Sequence, residues 1–156
     1  MQVTSKSVNR TLKIGRLVAK SLKRGDILCL FGQLGAGKTV FTKGIAAGLG
    51  IKKENIISPS FVLIREYPEA KLPFYHFDLY RLKEQKQILF LGYEEYLYGD
   101  GVSVIEWADR LGRLLPLEFL KIELLIKDVK ERRIKFTSFG SRYQELLEKI
   151  SENLSR

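Results

Sequence analysis

The 156-residue sequence holds a single cysteine, Cys29, and a single histidine, His76. One thiol cannot close an intramolecular disulfide, nor with one imidazole complete a zinc-finger-type site, and that usage suits a reducing compartment. Long apolar runs are also missing. The longest, Ile27 to Phe31, is far too short to cross a bilayer, and MQVTSKSVNR has no apolar stretch behind its charges. The expectation is a cytoplasmic protein that neither enters a membrane nor is secreted. There is no internal repeat, no low-complexity tract and no linker rich in Pro, Gly or Ser, so residues 1–156 read as one domain. Acid is scarcer than base: 18 Asp and Glu face 27 Lys and Arg, a formal charge of +9. That balance favours approach to a polyanion, but the basic residues are scattered and no aromatic-interleaved RNA motif accompanies them.

What is present alternates. Leu12, Leu17, Val18 and Leu22 share one helical face, with Gly25 as a stop. DILCLF, Asp26 to Phe31, is an unbroken apolar run of the kind buried on both sides of a sheet. It feeds into GQLGAGKT and then into a helix predicted from Lys38 to Leu49, closed by Gly50. Phe61 to Glu66 and Phe74 to Leu79 read as a hairpin about a turn at Pro68 to Pro73. Lys83 to Leu97 reads as helix, Val102 to Glu106 as a buried strand, Leu117 to Ile126 and Arg132 to Phe139 as a strand pair, and Arg142 to Ile150 as an amphipathic closing helix. The order predicts an α/β fold of three layers, with helices about a central, mixed, mainly parallel sheet.

Gly32-Gln-Leu-Gly-Ala-Gly37-Lys38-Thr39 satisfies G-x-x-x-x-G-K-[ST] at every fixed position, with the strand before and the helix after that the motif demands. Such a P-loop wraps phosphates in backbone N–H groups, here those of Gly35, Ala36 and Gly37, which requires glycine where a Cβ would intrude. Lys38 then supplies charge to the terminal phosphates and Thr39 a hydroxyl to magnesium. Magnesium retains several waters and takes few protein ligands, so a neighbouring strand should offer a carboxylate. Glu106 ends VSVIE and Asp78 ends FYHFD, and both are candidates for metal and catalytic roles. His76 shares a strand face with Asp78 and either orients it or is a packed, hydrogen-bonded strand residue. Cys29 reads as a core thiol. Trp107 reads as either site or core.

The segments GQLGAGKT, SPSF (Ser58 to Phe61), YHFDLYR (Tyr75 to Arg81) and VIEW (Val104 to Trp107) resemble, in order and spacing, the bacterial TsaE family, and the likeness covers nearly the whole chain. The resemblance implies a P-loop ATPase, weak in isolation, with ATP and Mg2+ at the glycine-rich loop. It also implies TsaB and TsaD as partners, whose complex threonylcarbamoylates adenosine 37 of tRNAs reading codons that start with A, so that tRNA is reached indirectly. By position it assigns Lys38 and Thr39 to phosphate and metal, Ser60 to a loop facing the γ-phosphate, and Asp78 and Glu106 to metal or attacking water. Trp107 becomes the aromatic beside the site, while the stretch Ser7 to Thr11, Val40 and Arg132 lie toward the nucleotide. Three positions depart from the family pattern: Gln33 stands for Asp, Ser60 for Thr, and Val40 for a second Thr. Two other functions fit a short P-loop protein, a small-molecule or nucleotide kinase and a nucleotide-gated nucleic-acid-binding module.

Overall fold

The computed structural model describes residues 1–59 and 61–156. Among these described residues seven strands form one sheet in the order β1-β7-β6-β2-β5-β4-β3. The central four, β6 (Phe119–Ile126), β2 (Ile27–Phe31), β5 (Val102–Glu106) and β4 (Phe74–Asp78), run parallel. Antiparallel strands flank them: β3 (Ile64–Tyr67) on β4 at one edge, β7 (Arg132–Phe139) and then β1 (Gln2–Ser5) at the other. Every residue of β5 and the first four of β2 are buried, so both faces of these strands are covered. This is the physical reason they read as continuous apolar runs instead of alternating ones. The fold is the mixed, mainly parallel α/β sheet expected. Among the described residues no helix is long and apolar enough to cross a membrane.

Helix α1 (Val8–Ala19) opens at Ser7, whose hydroxyl accepts the Arg10 N–H at 3.1 Å, a cap worth about 1 kcal/mol. It buries Thr11, Ile14, Gly15, Val18 and Ala19, while Leu17 is only half-buried. The face lies against α2 (Lys38–Gly48), and the two backbones approach very closely at Gly15. A Cβ there would sit 2.5 Å from the Phe41 carbonyl oxygen and 3.0 Å from the Gly44 Cα.

Several elements differ from the sequence reading, four of them by more than two residues or in kind. Strand β1 has no signal in the sequence, because Val3 is its only large apolar residue and an edge strand leaves too little alternation to see. Strand β3 begins at Ile64 and not at Phe61: Leu63 has φ 66° and its N–H meets the Pro59 carbonyl at 2.7 Å, so the chain is still turning and Phe61 is exposed. The helix expected over Lys83 to Leu97 is two short ones, α3 (Gln85–Phe90) and α4 (Tyr93–Leu97), parted by Gly92 at φ 66°. A single left-handed residue ends one helix and redirects the next. The closing helix α5 is longer than expected, Ser141–Ser155.

Candidate functional site

The P-loop follows β2 directly. Gly32 has φ 151°, and a Cβ on it would lie 2.6 Å from the Leu124 carbonyl oxygen of the neighbouring strand, so no larger residue fits. Gly37, at φ 101°, is the N-cap of α2 and brings no side-chain cap to the first turn. That turn also lacks an acidic residue. Its N–H groups and the positive dipole end are thus left for an external anion.

On one flank of the loop, Ser7, Thr11, Gly35, Ala36, Gly37, Val40 and Arg132 line a cavity of about 510 Å3, together with Lys6, Val8, Val129 and Lys130. These seven sequence-predicted residues therefore share one wall system. Their chemistry differs. Thr11 is buried and its hydroxyl is committed to Ser5 at 2.8 Å and the Ser7 carbonyl at 3.3 Å. Arg132 braces the loop: its guanidinium donates to the Gly35 carbonyl at 3.1 Å and to the Asp128 carbonyl at 2.8 Å, tying the P-loop to the β6–β7 turn. Val8 lies within the Ser7 to Thr11 stretch that the resemblance assigns to the nucleotide, whereas Lys6, Val129 and Lys130 are not marked as site residues by the sequence. Lys130 stands in a basic run with Arg132, but nothing local to it points to a cavity.

On the other flank the strand register does the assembly. Leu30 of β2 pairs with Glu106 of β5, and Glu106 pairs with Asp78 of β4, so the two carboxylates end adjacent parallel strands beside the P-loop strand. The Thr39 hydroxyl donates to Glu106 Oε1 at 2.7 Å. His76 Nε2 bonds the other oxygen, Oε2. Both oxygens of a carboxylate that is 1% exposed are therefore held, which fixes its orientation. The choice left open for His76 is thereby decided: it is a buried, bonded strand histidine, and the carboxylate it touches is Glu106 and not Asp78. Among the described residues its Nδ1 is buried without a partner, which fits the tautomer that donates from Nε2.

Lys38 donates to the carbonyls of Gly32 and Gln33, the latter at 3.0 Å, and its ammonium lies 3.9 Å from the centre of the Trp107 ring. Burial pulls its pKa below the usual lysine value, against the raising fields of Glu106, Asp109 and Asp78. Trp107 sits at φ 58°, a left-handed conformation that costs a non-glycine residue about 1 kcal/mol or more and persists where surrounding contacts hold it. Tyr80, with ring centres 5.0 Å apart, and the guanidinium of Arg110, at 5.7 Å, supply those contacts. Asp78 accepts the Tyr80 N–H at 3.1 Å and faces the Ser58 hydroxyl at 3.5 Å. Burial raises its pKa above the usual carboxylate range, only partly opposed by the Tyr80 hydrogen bond. Ser60 lies outside the described residues. Among the described residues no three His, Cys, Asp or Glu side chains form a metal cage. The donor set of one hydroxyl and two carboxylates fits a hard cation that keeps waters and takes its other ligands from phosphate.

The model of the family "Threonylcarbamoyl adenosine biosynthesis protein TsaE" matches residues 5–134. A Bacillus subtilis protein named tRNA threonylcarbamoyladenosine biosynthesis protein TsaE is 44% identical over 154 residues, 97% of this chain and 96% of its own. A Treponema pallidum protein of the same name is 41% identical over 126 residues, 81% of this chain and 92% of its own. The crystal structure of Bacillus subtilis YdiB superposes with a TM-score of 0.85 at 41% identity, covering 97% of this chain and 94% of that one. With the P-loop, the paired strand-end carboxylates and these likenesses in agreement, the chain belongs to the TsaE family of tRNA threonylcarbamoyladenosine biosynthesis.

Proposed function

We propose that this chain binds ATP with magnesium at the P-loop and hydrolyses it, slowly alone and faster with TsaB and TsaD, in support of threonylcarbamoyl transfer to adenosine 37 of tRNA. The observation that carries this reading is the meeting of Lys38, Thr39 and Glu106 where α2 begins. Phosphate entering the loop would take over the Lys38 ammonium from the two carbonyls and accept the first-turn N–H groups of α2. The cavity along Ser7, Thr11 and Val40 is the place for the nucleoside. Thr39, Glu106 and Asp78 would hold magnesium, directly or through its waters. When bound, that ion supplies electrophilic stabilisation of the charge developing on the phosphates. Glu106, locked by Thr39 and His76, and Asp78, beside it in the strand register, are the groups that would orient the attacking water. Trp107 packs over Lys38 and keeps bulk water from the ammonium.

The test is magnesium-dependent ATP hydrolysis by the chain alone and with its cognate TsaB and TsaD, with Lys38→Ala as the blank. Large stimulation by the partners is the expected result. Lys38→Ala should weaken nucleotide binding, and Glu106→Ala and Asp78→Ala should lower turnover mainly. A rate that the partners leave unchanged would refute the assisting role and turn the search to a small phosphoryl acceptor.

A further inference from the structure

The first acidic residue of the chain is Asp26, and before it stand Lys6, Arg10, Lys13, Arg16, Lys20, Lys23 and Arg24. On α1 the consequence is geometric. At about 100° per residue, Arg10, Lys13, Arg16 and the C-cap Lys20 fall within a sector of roughly 120°, opposite the buried stripe. All four are exposed, and among the described residues none meets a carboxylate within ion-pair distance. Lys13, Arg16 and Lys20 border a shallow groove over Leu12 and Leu17.

We propose that this face of α1 binds the phosphate backbone of RNA directly, an inference that borrows the RNA partner from the function proposed above. Successive cations three or four residues apart rise about 4.5–6 Å along the helix, a line of charge suited to a regularly charged polymer. A membrane fits poorly. The helix's apolar side is already spent on the core, and the exposed side carries no aromatic residue to insert. The stripe also begins beside the nucleotide cavity, because Lys6 lines that cavity one turn before Arg10.

The experiment is fluorescence anisotropy of a labelled, unmodified tRNA transcript with the full chain, without partner proteins, across a salt series. The triple variant Lys13→Gln, Arg16→Gln, Lys20→Gln removes three contacts without touching the P-loop or its cavity. It should lower the magnitude of the log affinity against log salt slope by about three and keep the parent's ATP turnover and circular dichroism. Lys52→Gln, Lys53→Gln, Lys86→Gln, a matched loss of exposed charge elsewhere, should leave the slope nearly unchanged. Equal slopes in parent and α1 variant, no tRNA binding by the parent at 50 mM-scale salt, or equal competition by polyglutamate or anionic phosphatidylserine vesicles would each overturn the proposal. Lys38→Ala should still bind tRNA, so a failed ATPase assay and a failed RNA assay point to different errors.

Discussion

Substituting Gly15 by alanine sets helix propensity against packing. In an exposed helix interior the change would stabilise by about 1 kcal/mol, since glycine loses more backbone entropy. In α1 the new Cβ would lie 2.5 Å from the Phe41 carbonyl oxygen and 3.0 Å from Gly44 Cα and Ile45 N. All three obstacles are backbone, so no side chain can swing aside, and α1 and α2 must part by about half an ångström to reach the 3.0 Å that Cβ atoms respect. Overpacking of this kind costs about 1–3 kcal/mol, and against three backbone atoms the upper half of that range applies, which leaves a net loss of about 1–2 kcal/mol after the propensity gain. At roughly 2–4 °C per kcal/mol for a chain of this size, the melting temperature should fall by about 2–8 °C. Because α2 begins with Lys38 and Thr39, nucleotide affinity should fall with it. Thermal and urea unfolding by circular dichroism, with nucleotide titration on the same samples, measure both. Gly44→Ala meets the Leu12 carbonyl oxygen across the same interface, so one displacement relieves both clashes and the double variant should lose less than the two singles added. If Gly15→Ala were more stable than the parent, the close backbone crossing would be wrong.

Three further outcomes are expected. Asp78→Asn should reduce turnover yet raise stability at pH 7. The native carboxyl holds its proton more tightly than the unfolded one, so its contribution to folding is full below an unfolded pKa of about 3.9 and is lost as pH rises through the raised native value. The melting advantage of the variant should therefore widen from pH 4 to pH 7, and a less stable variant at pH 7 contradicts this. Tyr143→Phe leaves the buried Ile27 N–H without the hydroxyl it now meets at 2.9 Å, a loss of about 1–3 kcal/mol by urea midpoint. A loss below about 0.5 kcal/mol would mean that another acceptor replaces it. Cys29, wholly buried in β2 with its thiol pKa pushed up by burial, should resist thiol reagents in the native protein and react once denatured. Rapid labelling of the folded chain would place the strand wrongly.

How much of the site was legible depended on how local its chemistry is. The P-loop is a contiguous constraint, in which glycine is needed where a backbone oxygen comes close, and GQLGAGKT carried it along with the strand before and the helix after. Glu106 and Asp78 stand out as candidates because each ends a strand-like run, and the register of β2, β5 and β4 puts them side by side. Strand edges were less visible: β1 has one large apolar residue, and the late start of β3 follows from the left-handed Leu63, where no glycine stands, in a turn closed on the carbonyl of Pro59.

By itself the sequence determined the parallel core, the glycine-rich loop and the family, because apolar periodicity and glycine placement act over neighbouring residues. Only the tertiary structure decided that His76 grips Glu106, that Arg132 braces Gly35, that Trp107 covers Lys38, and that Ser7 and Thr11 meet Val40 around one cavity. Each of these joins residues from separate elements, and strand order and helix packing, not spacing along the chain, set the distance between them.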